Sequence, residues 1–319
     1  MVNKETINKG NRKLAIGVDV GGKRTKLGLV DLGSGEVLDV VITSTETKNK
    51  SAFLNSIVNA VKQFKISATA ENNHVAGIGF GVPAFVFNRR VVDSTYGFID
   101  FMEDYPLADL VEKACGLHCR LDNDARVVAL GEALYGESKN ENRVLVLTLG
   151  TGLGIGFAIN GELDGAMPLN HMAGHMTIND NNVDCYCGKR GCLEAQVSAT
   201  GIIQAAKALG WNKKYPSKTL DVQTVFLERE SGNPDAIAVI ENLITALQIG
   251  IGNYINIYAP DTIVIGGGVS KSLKNDLHHF QHPSHLKPYK SYKYKVVVSA
   301  LQEHAGILGS ASLFADVSQ

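Results

Sequence analysis

The 319-residue sequence predicts an α/β protein made of two related halves. Three observations carry that expectation. Short runs rich in Val, Ile and Leu alternate with segments whose apolar residues recur at helical spacing, the pattern of strands interleaved with helices. Most of the 33 glycines fall just after apolar runs, where strands must turn. An arrangement of strand, glycine turn, return strand and turn opens at residue 14 and recurs at residue 143 with little residue identity, as expected of a structural repeat.

The elements follow in order. Residues 14–20 form an apolar strand with Asp19 embedded in it, Gly21-Gly22 turn it, and residues 27–30 return antiparallel, followed by a third strand at 37–43. Residues 51–64 place Phe53, Leu54, Ile57, Val58 and Val61 at helical spacing. A buried strand at 75–82 ends at Pro83, and a short helix at 107–114 stops near Gly116. A strand at 119–121 runs into Asp122-Asn123-Asp124, and 125–135 reads as a helix. The repeat then supplies strands at 144–149 and 155–159, joined across residues 150–154 and closed by the tight turn Asn160-Gly161. Helical pattern dominates 198–258. Its clearest piece carries Ile237, Ile240, Ile244, Leu247, Ile251, Ile255 and Tyr258 on one face and stops before Pro260. Strands at 262–265 and 296–299 and a closing helix at 305–315 complete the chain. The expected division is a small lobe of residues 1–121 with 305–319, and a larger lobe of 122–304.

Composition narrows the function. With 45% hydrophobic and 20% charged residues and a formal net charge of -1, the chain is an ordinary globular sequence, and nothing in its charge asks for nucleic acid or an anionic membrane. The polar, basic start lacks the apolar core of a signal peptide, and no later segment reads as long enough to span a bilayer. The five cysteines are clustered like metal ligands, which points to a reducing, cytoplasmic setting.

The segment 175–194 carries the most chemistry. His175, Cys185, Cys187 and Cys192 make a Cys3His set, with Gly188 and Gly191 bending the chain between the last two thiols. Four N/S donors close a tetrahedral zinc and leave no position for a catalytic water, so the metal would be structural. Ligand count and turn glycines favour this over three loop cysteines and a passing histidine. The second ring nitrogen of His175 and the carboxyl of Glu194 can then face a polar ligand beside the zinc. Three glycine turns, Gly21-Gly22, Gly150-Thr151-Gly152 and Gly266-Gly267-Gly268, each follow an apolar strand. Turns that expose backbone N–H groups bind anions, and three together favour a nucleotide phosphate site, although none matches a P-loop or a dinucleotide fingerprint. Asp124, at a strand-to-helix junction, reads equally as a helix N-cap or as a general base held ionised by the helix N-terminus. Asn123 beside it suits a sugar hydroxyl. Two other clusters are read as bland: residues 115–119 (Cys-Gly-Leu-His-Cys) as helix end, turn and strand rather than a second metal site, and His278, His279, His282 and His285 as a surface loop. The Lys/Tyr alternation at 287–295 is read as an exposed turn and strand edge.

These residues together resemble the sugar-kinase branch of the ROK family (repressor, open reading frame, kinase). The likeness covers nearly the whole chain. It rests on His175 with Cys-x-Cys-Gly-x-x-Gly-Cys-x-Glu ending at Glu194, on Asn123-Asp124, on Asp19-x-Gly21-Gly22, on Leu149 to Gly152 and on Ile265 to Gly268. The resemblance implies an actin-like, hexokinase-like ATPase fold of two ribonuclease-H-like lobes around a cleft. It implies Mg-ATP as phosphoryl donor, a structural zinc, a homodimer, and Asp124 as the base that activates a sugar hydroxyl. It assigns Asn123, His175, Glu194 and the Ala84 loop to the sugar. Asp19, Gly21, Gly22, Lys23, Thr25, Gly150, Thr151, Gly152, Gly266, Gly267 and Gly268 fall to the nucleotide and its metal.

Four positions depart from the family pattern. Met172 stands where a sugar-binding glutamate is usual, with His171 as a partial substitute. Ala84 replaces the glycine of the Gly-x-Pro-Gly loop, the Pro-Asn-Leu segment is not recognisable at 94–101, and Lys23 replaces a common threonine. A thioether accepts hydrogen bonds poorly, so an altered sugar preference is expected. The family also holds repressors with a helix-turn-helix module; about a dozen residues precede Leu14, too few for a three-helix module, but a sugar-responsive regulator without activity remains the alternative. A zinc-ribbon nucleic-acid binder is disfavoured by the neutral charge.

Overall fold

The structure, a computed structural model, describes residues 12–88, 91–93, 99–165, 169–179, 183–281 and 291–316. The unmatched segment at 94–98, His282, His285 and residues 287–290 lie outside these. In chain order the strands and helices begin with β1 (Lys13–Val20), β2 (Arg24–Asp31), β3 (Glu36–Ser44), α1 (Lys50–Ala70), β4 (His74–Val82), β5 (Phe85–Phe87), β6 (Val91–Asp93), α2 (Leu107–Cys115), β7 (Cys119–Asn123) and α3 (Asp124–Tyr135). They continue with β8 (Arg143–Leu149), β9 (Leu153–Ile159), β10 (Glu162–Leu163), α4 (Leu193–Val197), α5 (Ala199–Ala208), α6 (Trp211–Lys214), α7 (Val222–Glu230), α8 (Pro234–Tyr258), β11 (Thr262–Gly266), β12 (Lys295–Val298) and α9 (Ala305–Ala311).

The expected repeat is visible in the sheets. The first runs β3-β2-β1-β4-β7 and the second β10-β9-β8-β11-β12, the same order of five strands. In each, the opening hairpin is antiparallel and the later strands join in parallel: β1 pairs β2 antiparallel and β4 parallel, and β8 pairs β9 antiparallel and β11 parallel. Parallel neighbours need crossover helices, which is why helical segments separate the later strands.

Two compact units result. The first holds the described residues up to 135 with 161–165 and 303–316; the second holds 136–160 and 169–302. The sequence boundary after Leu121 differs from this division. Helix α3 packs on α9 and on β4, so residues 124–135 stay with the first unit. Its core joins Leu14, Ile16 and Val18 of β1 to Phe53, Ile57 and Phe64 of α1 and Val111 of α2. In the second unit Leu145, Leu147, Ile263 and Ile265 meet Leu243, Leu247, Ile251 and Tyr254 of α8, with Trp211 fully buried beside them.

Several element bounds shift. Helix α1 continues to Ala70, because no glycine or proline interrupts 65–70. The hairpin β5–β6 and the five-residue α4 were not foreseen, being shorter than the window in which periodicity shows. The expectation that no later segment could span a bilayer needs correction: α8, 25 residues long with an 18-residue window of mean hydropathy 1.3, is long and apolar enough by length and composition. Half of that window is buried inside the protein, the behaviour of a core helix. Residues 115–119 are a helix end with Gly116 left-handed, then β7, as read from the sequence.

Candidate functional site

In the first unit the site grows from strand register. β1, β4 and β7 run parallel, and Asp19, Gly81 and Asp122 stand in one row across their C-terminal ends. The edges of a parallel sheet beyond its strand C-termini are where ligands bind in open α/β folds. Asp19 is backed by α9: a Cβ on Gly306 would lie 2.5 Å from the Asp19 carboxyl carbon, so only glycine lets that helix sit against the carboxylate. Burial pushes the Asp19 carboxyl up, and Lys26, opposite it on β2, opposes this. The turn after β1 is held by Thr45, whose hydroxyl donates to the Gly21 carbonyl at 2.6 Å and meets the Thr25 hydroxyl at 2.9 Å. Thr25 is therefore buried structure beneath the turn, whereas Gly22 and Lys23 are exposed.

Asn123 supplies a side-chain cap for α3 beside Asp124. The Asn123 side-chain oxygen accepts from the Ala125 and Arg126 amides at 3.0 and 3.3 Å, the N-cap bonds of α3. Its amide nitrogen donates to the Ala84 carbonyl at 3.2 Å, tying the loop after β4 to the helix start. Asp124 accepts from the Ala125 amide at 2.9 Å. Its carboxyl is pushed up to about 7, by burial and then by the Asp19 carboxylate. This corrects the expectation of an ionised group at neutral pH: desolvation and a like charge outweigh the helix N-terminus. Beneath the helix start lies a pair that sequence reasoning missed. Asp122 accepts from Arg126 Nε at 2.7 Å and from the Asn123 amide at 2.8 Å, both side chains being buried. An Asp and an Arg four residues apart across a helix start were the available signal.

The second unit carries the remaining residues. The turn after β8 is tied to α5: the Ala199 amide donates to the Gly150 carbonyl and the Thr200 hydroxyl to the Thr151 carbonyl, each at 2.8 Å. Beside it Thr151, Ala199, Thr200, Ile203, Gln204 and Lys207 line a cavity of about 300 Å³ that the sequence did not suggest. Gly266 ends β11, and the chain turns through Gly267 and Gly268, with the Val269 amide bonded to the Leu149 carbonyl at 3.1 Å. Gly152 abuts Glu194, whose carboxyl carbon would be 3.3 Å from a Cβ there.

The four expected metal ligands come together, their donor atoms all within 4.8 Å of one another. Zinc–ligand bonds of about 2.3 Å to sulfur and 2.0–2.1 Å to nitrogen set tetrahedral edges of roughly 3.8 Å between sulfurs and roughly 3.6 Å between sulfur and nitrogen. Cys187 and Cys192 sulfurs are 3.7 Å apart, and Cys185 Sγ lies 3.5 Å from His175 Nδ1. The donor set therefore fits zinc. Burial and the neighbouring thiols push Cys192 up to about 12, a conflict among thiols that a dication relieves. Burial, then Lys189, holds His175 below its ordinary value, in the neutral form that ligates metal. His175 closes a 3-10 turn, Asn170–His175, anchored by the Tyr254 hydroxyl on the Ala173 carbonyl at 2.9 Å. Met172 and His171 lie partly buried in that turn. On the far side of the ring, His175 Nε2 is 3.2 Å from the Tyr186 hydroxyl and 3.8 Å from Glu194 Oε2. Burial raises the Glu194 carboxyl, against hydrogen bonds from the Leu153 amide and the Tyr186 hydroxyl.

Comparison with known proteins gives a consistent outcome. The ROK family model matches residues 15–317. The glucokinase of Thermotoga maritima is 30% identical over 317 residues, which cover 93% of this chain and 96% of that protein. A putative xylose repressor of a Caldicellulosiruptor species is 28% identical, covering 96% of this chain and 79% of its own. The crystal structure of a ROK family glucokinase from Streptomyces griseus in complex with glucose and AMPPNP is similar at a TM-score of 0.74 and 26% identity, covering 94% of this chain and 98% of that one.

Proposed function

We propose, from the premise that this chain belongs to the ROK family, that it is a carbohydrate kinase that moves the γ-phosphoryl group of ATP to a hexose or hexose derivative. The fold is the actin-like, hexokinase-like α/β fold of that family's kinases. The observation that carries the catalytic assignment is the pair Asp19, near the end of β1, and Asp124, directly after β7, whose carboxyl burial and the Asp19 charge push up to about 7. A base with a pKa close to the working pH combines a useful ionised fraction with a useful proton affinity.

In this mechanism Asp124 takes the proton of the attacking sugar hydroxyl, the 6-OH, as its oxygen bonds to the γ-phosphorus and the bond to the β-phosphate oxygen breaks, releasing ADP. Asn123, capped into α3 and bonded to Ala84, holds its neighbour in place. His175 and Glu194 bind sugar hydroxyls. Asp19 would hold a magnesium ion, which would neutralise charge on the phosphates. The turns at Gly21-Gly22, Gly150 to Gly152 and Gly266 to Gly268 offer amides to the nucleotide, with Lys23 exposed beside the first. A zinc held by Cys185, Cys187 and Cys192 would keep His175 oriented.

Met172 in place of the usual carboxylate supports a sugar preference other than glucose. A coupled assay of ADP release with Mg-ATP across hexoses and N-acetylhexosamines tests both points. Sugar-dependent ADP release is expected, with glucose not the best acceptor. The repressor-like relative favours a second reading, a sugar-responsive regulator; sugar binding with no ADP release from any acceptor would establish it.

A further inference from the structure

We propose that Tyr186 is a specificity-determining residue: its hydroxyl occupies the place of a sugar hydroxyl between His175 and Glu194, and an accepted sugar displaces it. The inference rests on the assignment of His175 and Glu194 to the sugar.

The argument is one of donors and acceptors. His175 turns Nδ1 toward Cys185 at 3.5 Å, the metal side of the ring. A neutral imidazole that ligates through Nδ1 carries its hydrogen on Nε2, and that is the single donor it has for a sugar. The Tyr186 oxygen sits 3.2 Å from Nε2 and is placed to accept that hydrogen. Glu194 Oε2 lies 3.8 Å from the same Nε2, on the side of the ring that the phenol occupies, and toward that carboxylate the phenol O–H donates. A sugar hydroxyl bound by this pair would make the same two bonds, accepting from His175 and donating to Glu194. Glu194 can accept from several donors at once, but the Nε2 hydrogen serves one acceptor well, so the phenol and the sugar compete for it.

The geometry makes the phenol the member that yields. His175 and Glu194 are buried, with 6% exposure each, whereas Tyr186 is 57% exposed. Its ring stands edge-on to the imidazole, centroids 5.1 Å apart at 84°. It can rotate into solvent without opening the core. Its backbone cannot drift, because Cys185 and Cys187 on either side are both metal ligands in this account. Tyr186 is thus a tethered stand-in that only a sugar with a hydroxyl at this place can replace.

The test is Tyr186→Phe, which keeps the ring and removes the hydroxyl, with Tyr186→Asn as a second variant should the first fold poorly. Zinc content and melting temperature matching wild type show that the loop is intact. For the best sugar of the panel, the dissociation constant by calorimetry and KM should fall about five- to tenfold, the worth of the contested hydrogen bond from His175 Nε2 that no longer has to be broken on binding. The gain should vanish for the monodeoxy analogue that lacks the contacting hydroxyl, because that analogue never needs the place. Affinity unchanged or weakened in both variants, or a gain equal across all deoxy analogues, overturns the proposal while leaving the kinase assignment standing. A wild-type protein that binds no hexose and releases no ADP overturns that assignment, and the proposal with it.

Discussion

At the residue scale the informative group is Asp124. Its place in the sequence, after an apolar strand and beside an asparagine, was enough to single it out, but not to decide between cap and base. Asn123 takes the cap, and in the function proposed above Asp124 is the base. Neither the direction of the Asp124 shift nor its cause was legible, because both depend on burial and on Asp19, 105 positions away in the chain and two strands across the sheet. The consequence is measurable. The folded protein holds this carboxyl near 7 against an ordinary 3.8, so turnover that needs the anion should fall about tenfold per pH unit below about 7. The stability sign is opposite. A raised carboxyl pKa contributes stability that is fully present below the ordinary value and lost as pH rises through about 7. Asp124→Asn should therefore lower turnover by roughly 10²-fold or more and raise the melting temperature, more at pH 8 than at pH 5. An active variant, or one destabilised equally at both pH values, would refute the assignment.

At the scale of elements, the metal loop shows what a pattern of residue types can and cannot say. The ligands were readable, since three thiols and a histidine with turn glycines leave few alternatives. The helix α4 that follows Cys192 was not, being five residues long, nor was the partner that Tyr186 makes inside its own loop. Side-chain rotation is set by contacts, and spacing is silent about it. The backbone at Gly191 is one tightly held point of the loop. Gly191 has φ of 69°, and a Cβ there would lie 2.0 Å from the Asn179 carbonyl oxygen. Two isolated bridges, Thr177 with Cys192 and Asp184 with Arg190, hold the strands of the loop at this place. Gly191→Ala must move the backbone next to a ligand, and zinc affinity by chelator competition should fall roughly tenfold or more. Unchanged affinity would mean that the loop tolerates the shift and that the donors alone set the site.

At the scale of the whole molecule, the duplicated strand order was foreseen from two glycine-turned hairpins, whereas the split between units was not, because α3 packs by long-range contacts with α9 near the far end of the chain. Among the described residues the two cores share none: one is built on β1, β4, α1 and α2, the other on β8, β11 and α8. All four metal donors belong to the second unit. Metal binding contributes free energy only to the cooperative structure that contains the ligands. Removing zinc with a chelator should therefore speed amide exchange across 169–302, first around 175–197, while β1, β4 and β7 keep their protection. Hydrogen exchange read by mass spectrometry separates the outcomes. Protection lost in both units together would show that they unfold as one, and that the metal supports the Asp19 and Asp124 carboxylates as well as the loop it sits in.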